Sequence, residues 1–367
     1  MIFWKHNNKA ISYEQFLNDV NSKVEDDSPY GYFVNLISSM VTNKKFKNIS
    51  ELIKYLKINS DDITINLKTS GTTGKPKEIN QSLKNTIRGV KYTEELHKWA
   101  FAYNHTHFAG LQVFFQAFLN QQEIVYLFDT DLELIPNVLN NNKITHMSCT
   151  PTFMKMLLPY IEENKTISNL SFGGEKFDVS NIEKIKNKFP NAKIKNIYAS
   201  SEAGSILTSD GEYFKIPNKF KNEIKIVNNE LFIHKNLLGD MIVKLIDDVW
   251  YPTGDLVKYV DNNRFMIENR KSDMINVGGY KVNPSKVESV IKDIPYVQDV
   301  LITSKRNSVM GNIVVAKIIA SKKLLPDENT IREKIKTTDK LKNYERPLKI
   351  EFIDSFDLTD TGKVKRI

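Results

Sequence analysis

The chain has 367 residues, with 52 Lys and Arg against 44 Asp and Glu for a formal charge of +8; 41% of its residues are hydrophobic and 26% charged. That composition folds rather than remaining disordered, and the length suits two domains. No apolar run reaches the roughly 18 residues of a membrane span, no basic region followed by a long apolar core opens the chain, and the single cysteine, Cys149, excludes an intramolecular disulfide or a multi-cysteine zinc site. A reducing, cytoplasmic setting is expected. The basic residues are dispersed rather than striped, so the charge predicts no nucleic-acid partner.

In chain order, residues 123–128 and 143–149 read as buried strands, the second followed by Thr150 as an N-cap and Pro151 at the first helical position. Residues 170–172 read as another strand. Ile182, Ile185 and Phe189 share one helical face, Pro190-Asn191 ends that helix, and residues 194–198 form the next strand. This alternation predicts a parallel α/β sheet. Residues 223–268 change character: 223–227 and 230–235 flank Asn228-Asn229, and 257–260 and 265–267 flank Asp261-Asn262-Asn263-Arg264, the pattern of an antiparallel β subdomain. A smaller α/β unit follows, with helices over 284–294 and 329–336 and strands over 297–303 and 312–320. The boundary falls in the polar stretch 270–273. The expected division is a large N-terminal domain over 1–270 and a small mobile C-terminal domain over 271–367.

The segment Thr69-Ser70-Gly71-Thr72-Thr73-Gly74-Lys75-Pro76-Lys77 carries the clearest chemistry. Its glycines let several backbone N–H groups converge on one anion, its hydroxyls add donors and Lys75 adds charge, which suits a polyphosphate. It is not a Walker loop, because Pro76 stands where a magnesium-binding hydroxyl is needed.

This segment resembles the phosphate loop of the adenylate-forming superfamily, which includes acyl-CoA synthetases, peptide-synthetase adenylation domains and luciferases. Further stretches follow in that family's order. Tyr198-Ala199-Ser200-Ser201-Glu202 resembles its Tyr-Gly-x-Thr-Glu motif, and Tyr251-Pro252-Thr253-Gly254-Asp255-Leu256 its Thr-Gly-Asp motif. Residues 270–279, from Arg270 to Gly278-Gly279, resemble its hinge and glycine motif, and Thr361-Gly362-Lys363-Val364-Lys365-Arg366 its C-terminal Gly-Lys motif.

The resemblance implies ATP-dependent activation of a carboxylic acid to an acyl-adenylate, then transfer to a thiol, with ATP and Mg²⁺ as cofactors. It implies ATP binding by Thr69, Ser70, Gly71, Thr72, Thr73, Gly74, Lys75, Gly174, Glu175, Tyr198, Asp255 and Arg270. Glu202 is the expected Mg²⁺ ligand, Ser201 a donor to the α-phosphate, and Lys363 the cation that stabilises charge during adenylation. Tyr198 offers a face to adenine, and the Asp255 carboxylate suits the ribose diol. His107, Gly173, Ala199, Ser200 and Gly204 are the expected substrate pocket. The small domain is then expected to turn about Ser272, bringing Gly278-Gly279 to the thiol's approach. Proline at Ser272 is expected to trap one pose and spare adenylation.

Several positions depart from the family pattern. Ala199 replaces the usual Gly of its motif, Asn269 replaces the Gly before the hinge Arg, and Ser272 replaces a charged hinge residue. Residues 1–68 are short for this family, so a reduced N-terminal subdomain and a partly open acyl pocket are expected. The mostly small or apolar pocket positions favour an aryl or medium acyl acid. Coenzyme A is the favoured acceptor, with a free acyl carrier protein loaded in trans as the rival. A non-catalytic binding protein on the same scaffold is the alternative of another class.

Overall fold

The computed structural model describes residues 1–69, 77–177, 181–211, 213–239, 245–320, 328–359 and 364–366. Residues 70–76 of the phosphate loop and Lys363 therefore lie outside the described residues.

The large domain is built on a sheet of eight strands among the described residues. In spatial order they are Gly204–Ser209, Lys193–Ser200, Asn169–Gly173, His146–Cys149, Lys98–Ala102, Glu123–Tyr126, Ile2–His6 and Lys9–Ser12. The inner strands, from Lys193–Ser200 through Ile2–His6, all run parallel, and each outermost strand is antiparallel to its neighbour. Side chains alternate across the sheet. Trp99 and Phe101 face one apolar layer; Ala100 and Ala102 face the other. Both faces are thus covered, as a parallel sheet requires.

Local signals set the helices on these faces. Thr150 Oγ1 accepts from Phe153 N at 3.0 Å and Pro151 opens the helix Pro151–Leu157, so the N-cap reading holds. Phe189 ends the helix Ile182–Lys188, just ahead of Pro190.

Residues 1–68 form a packed layer. They supply the edge hairpin Ile2–His6 with Lys9–Ser12, then the helices Tyr13–Ser22, Pro29–Met40 and Ile49–Ile58. Ser12, Ser28 and Asn48 cap these helices through their side chains. Their inward residues join an aromatic cluster in which Phe33 and Phe114 stack at 4.0 Å and Phe3 lies edge-on to Phe16 at 4.8 Å.

The predicted antiparallel unit is a four-stranded sheet in the order Ile224–Val227, Glu230–His234, Trp250–Tyr259, Phe265–Arg270. Asn228 and Asn229 have φ of 50° and 61°, the left-handed pair that a tight two-residue hairpin demands. Beyond residue 270 a separate core forms around Ile291, Val314, Ala316 and Ile331. It is enclosed by the helices Pro284–Lys292 and Glu328–Thr337 and the strands Val297–Asn307, Gly311–Ala320 and Lys349–Phe352. No helix among the described residues is long and apolar enough to cross a membrane.

One fold feature predicts a pH response. His146 is 8% exposed, stacks on His97 at 3.9 Å and hydrogen-bonds Asn169 and Thr145. Burial, reinforced by His97, pushes its pKa down to about 4. The unfolded chain binds the proton near pH 6.5 and the folded chain does not, so stability falls as pH drops through that window. Urea unfolding should show an acid-side loss of about 3 kcal/mol attributable to this ring. In His146→Gln that portion of the slope should vanish; an unchanged slope would assign the loss to other groups.

Candidate active site

Parallel strands end on one edge of the sheet, and ligands bind α/β sheets at that carboxyl edge. Here that edge receives Tyr103 after Lys98–Ala102, Thr150 after His146–Cys149, Gly174-Glu175 after Asn169–Gly173, and Ser201-Glu202 after Lys193–Ser200. Tyr103 Oη donates to Cys149 O at 2.7 Å and ties two of these strand ends together. Cys149 is fully buried, and burial pushes its thiol pKa up. It packs in the core as a small apolar residue.

The best-defined cluster joins three predicted residues from separate motifs. Asp255 is 4% exposed. Its Oδ2 accepts from Tyr198 Oη at 2.5 Å and its Oδ1 from Arg270 Nε at 2.9 Å. Burial and the Asp255 charge raise the Tyr198 pKa, so its phenol stays a neutral donor. Burial opposes the charge on Arg270, but Asp255, Tyr198 and Glu202 outweigh it and raise its pKa overall. Each carboxylate oxygen has two acceptor positions. Asp255 therefore keeps acceptor capacity for a vicinal diol while Tyr198 and Arg270 hold it still.

Glu202 is half-buried. Its charge reaches Arg270 and, after burial, contributes to pushing the Tyr251 pKa up to about 12. Among the described residues its carboxylate has no hydrogen bond or ion pair, and no group of three or more His, Cys, Asp or Glu is placed to cage a metal. That donor set fits Mg²⁺, which is held by one or two carboxylates together with substrate phosphates and keeps several waters. When bound, Mg²⁺ neutralises charge on the phosphates.

Residues that the motifs did not reveal hold Ser201-Glu202 in place. Gln81 is fully buried, and its Nε2 donates to Ser201 O at 2.9 Å and Glu202 O at 2.6 Å. It lies on the strand Lys77–Ser82, the return arm of the hairpin whose other arm, Thr64–Thr69, enters the phosphate loop. One side chain thus couples that hairpin to the Glu202 turn. Strand alternation carried the signal: Ile79 and Gln81 share the inward face, where a lone amide needs partners. Arg88 Nη1 donates to Ala203 O at 3.0 Å, and Asn85 Nδ2 to Leu238 O at 3.2 Å. Glu230, 8% exposed, accepts from Gly254 N at 3.1 Å and pairs with Lys271 at 3.1 Å.

Of the two glycines expected in the pocket, Gly204 has a steric reason and Gly173 does not. Gly204 has φ +74°, and a Cβ there would lie 3.0 Å from Asn85 O. Gly173 lies 3.4 Å, on the same measure, from Ile197 O, an ordinary contact that leaves room for a small side chain. Ser200 Oγ accepts from Ala203 N at 3.2 Å, and Ala199 packs against the aromatic cluster. His107 caps the helix Phe108–Phe118 by position, with its carbonyl accepting from Leu111 N at 3.1 Å.

The expected hinge residue Ser272 lies in the 3-10 turn Lys271–Asp273, with Arg270 still extended at φ −90°, ψ 140°. Ser272 is exposed and its hydroxyl donates to Asp273 Oδ1 at 3.1 Å. With the amide after Lys363 held at the carboxyl edge of the sheet in this pose, the turn argues for the opposite direction to the one expected for Ser272→Pro. Proline forces the preceding residue out of helical dihedrals, and Lys271 occupies them in this pose. The variant should therefore lose pyrophosphate exchange more than thioester formation, measured on one preparation; the opposite order would place the hinge elsewhere.

Gly278 and Gly279 form an exposed two-residue turn with φ +54° and +89° between Ile275–Val277 and Tyr280–Val282. Gly278 N donates to Met310 O at 2.9 Å and Gly279 N to Asn276 Oδ1 at 3.1 Å. A Cβ at Gly279 would meet nothing within 4 Å, so the dihedrals themselves demand glycine there.

The C-terminal motif reaches the large domain. Val364 N donates to Glu175 Oε1 at 3.4 Å, while Glu175 Oε2 accepts from Thr152 N at 3.0 Å.

Known proteins match both halves of this arrangement. Residues 12–243 match the AMP-binding enzyme family, and residues 286–363 match the AMP-binding enzyme C-terminal domain. The chain belongs to the AMP-binding enzyme family. Among curated members, the 2-succinylbenzoate–CoA ligase of Staphylococcus epidermidis is 25% identical over 355 residues, covering 88% of this chain and 73% of that protein. The Bacillus licheniformis protein of the same name is 23% identical over 84% of this chain and 70% of its own length. Among solved structures, ATP-bound MatB from Rhodopseudomonas palustris superposes with a TM-score of 0.79 at 15% identity, covering 99% of this chain and 94% of that one. The MenE o-succinylbenzoate CoA synthetase from Bacillus subtilis, bound to its acyl-adenylate, gives 0.71 at 16% identity, with coverage of 100% and 94%. At these identities the structures establish a shared fold. As an AMP-binding enzyme, the chain is an AMP-forming acid–thiol ligase that uses ATP to activate a carboxylic acid as its adenylate and passes the acyl group to a thiol.

Proposed function

We propose that the acid is an aryl or medium acyl carboxylic acid and that the acceptor is coenzyme A. The observation behind the acid class is the pocket rim. Ala199 packs on an aromatic cluster, Gly173 and Gly204 present little bulk, and the one buried Asp among the described residues, Asp255, is held by Arg270 and Tyr198. An amino-acid substrate would need a free buried carboxylate for its ammonium. Several relatives are named for the aryl acid 2-succinylbenzoate, which supports the same class.

In this reading Asp255 and Arg270 hold the ribose, and Tyr198 offers its ring face to adenine while its hydroxyl stays on Asp255. The glycine-rich loop over 69–75 cradles the phosphates, and Ser201 donates to the α-phosphate. Glu202 would hold Mg²⁺. Lys363 balances charge as the carboxylate oxygen attacks the α-phosphorus and pyrophosphate leaves. The small domain then turns at Ser272, so that Lys363 withdraws, Gly278-Gly279 come to the thiol's approach, and the sulfur displaces AMP.

The test is a panel of aryl, medium-chain, short dicarboxylic and amino acids, with hydroxylamine trapping the adenylate. The trap is then replaced by coenzyme A or by a pantetheinylated carrier protein. Hydroxamates from aryl or medium acyl acids, and thioester with coenzyme A, are expected. Selective trapping of amino acids, or thioester with the carrier alone, would overturn the respective assignment.

A further inference from the structure

We propose that the helix Pro151–Leu157 is a two-point latch that holds the small domain in the pose for adenylation, with Glu175 as a positioning residue for the Lys363 segment. The inference rests on the two-step ligase reading and extends it to Lys155 and Asp299, which no motif assigns, and to a second role for Glu175.

The first point is Glu175. Its two oxygens accept from different parts of the chain: Oε2 from Thr152 N in the first turn of that helix, and Oε1 from Val364 N, the amide immediately after Lys363. The Thr152 hydrogen bond fixes the rotamer that presents Oε1 to Val364. The sequence resemblance gave Glu175 to ATP. In this pose both oxygens of its carboxylate are engaged with backbone N–H groups.

The second point is one turn further along. Lys155 Nζ pairs with Asp299 Oδ2, on the strand Val297–Asn307 of the small domain. The Asp299 side chain is 16% exposed and that of Lys155 38%, so the pair is partly shielded from solvent.

The segment that receives the latch is itself braced. Val364 bridges to Leu358, and Lys365 N donates to Asp357 O at 2.8 Å. Arg366 forks onto Glu288 at 2.6 and 3.1 Å, and Glu288 Oε1 also accepts from Ile302 N at 2.9 Å. A rigid small-domain segment thus meets a rigid large-domain helix at two places. Any rotation about residues 271–273 must break both contacts, so they stabilise this pose and not the alternative.

Four variants, Lys155→Asp, Asp299→Lys, their combination and Glu175→Gln, test this through the ratio of half-reactions. Each single charge reversal should lower acid-dependent pyrophosphate exchange by about 10-fold, because like charges then face each other at the latch. Thioester formation from presynthesised acyl-adenylate should stay within about threefold of wild type, and the double swap should recover most of the exchange rate. Glu175→Gln keeps one acceptor and loses the other, so exchange should fall by about 10-fold with thioester formation spared.

Spin labels at Lys184→Cys and Lys281→Cys, both exposed and on opposite domains, give a readout that needs no turnover; the fully buried Cys149 does not compete for label. The wild-type distance distribution should broaden or shift in either single reversal and return in the swap. Equal losses in both half-reactions, no rescue by the swap, or a distribution indifferent to all variants would overturn the latch. Absence of any adenylate from the wild type would instead overturn the ligase reading, and the label distances would still decide the latch.

Discussion

Lys363→Ala should lower acid-dependent pyrophosphate exchange by about 10²–10³-fold, the usual loss when one transition-state charge contact is removed. Thioester formation from presynthesised acyl-adenylate should remain within about threefold, because in the proposed reading the small domain has turned away before the second half-reaction. The argument stands on the neighbouring residue: the amide after Lys363 is held against Glu175, at the carboxyl edge of the sheet where Ser201-Glu202 and Gly173-Gly174 also lie. Equal losses in both half-reactions would remove Lys363 from its assigned role.

Asp255→Asn should raise the KM for ATP by roughly 10–100-fold, since hydrogen bonds to a charged group contribute about 1.5–3 kcal/mol. The effect has two sources. An amide replaces one acceptor oxygen with a donor, although Tyr198 and Arg270 both require acceptors. The Arg270 charge then loses its partner; because its side chain is 48% exposed, solvent offsets part of that cost. Thermal stability should therefore fall by only a few degrees while nucleotide affinity falls sharply. A large fall in melting temperature with unchanged ATP affinity would make the cluster structural.

The order of elements and the cluster at Asp255 were legible because each depends on short-range signals. Asn228-Asn229 specifies its hairpin by left-handed dihedrals, and Thr150-Pro151 specifies a helix start by capping. The Tyr198, Asp255 and Arg270 motifs are local strings with one role each. What was not legible depends on contacts far apart in the chain. Alternation puts Gln81 on an inward face but does not say that Ser201 and Glu202 fold onto it, and the contact of Glu175 with Val364 joins residues 189 positions apart. Ser272 is expected as a hinge from the motif resemblance, but the helical dihedrals of Lys271 bear on what proline would do there. Residues 1–68 were read as a reduced remnant. Their Phe3, Phe16 and Phe33 interlock with Phe114 and Phe118 from a later helix, a partnership that alternation along either segment alone does not disclose.

The most direct measurement is acid-dependent exchange of labelled pyrophosphate into ATP, with and without Mg²⁺, followed by addition of coenzyme A to the same reaction. The account predicts exchange that requires both Mg²⁺ and an aryl or medium acyl acid, and that gives way to AMP and acyl thioester when the thiol is added. ATP binding with no acid-dependent exchange across the panel would contradict it, and would make the Tyr198–Asp255–Arg270 cluster a nucleotide-binding site without ligase chemistry.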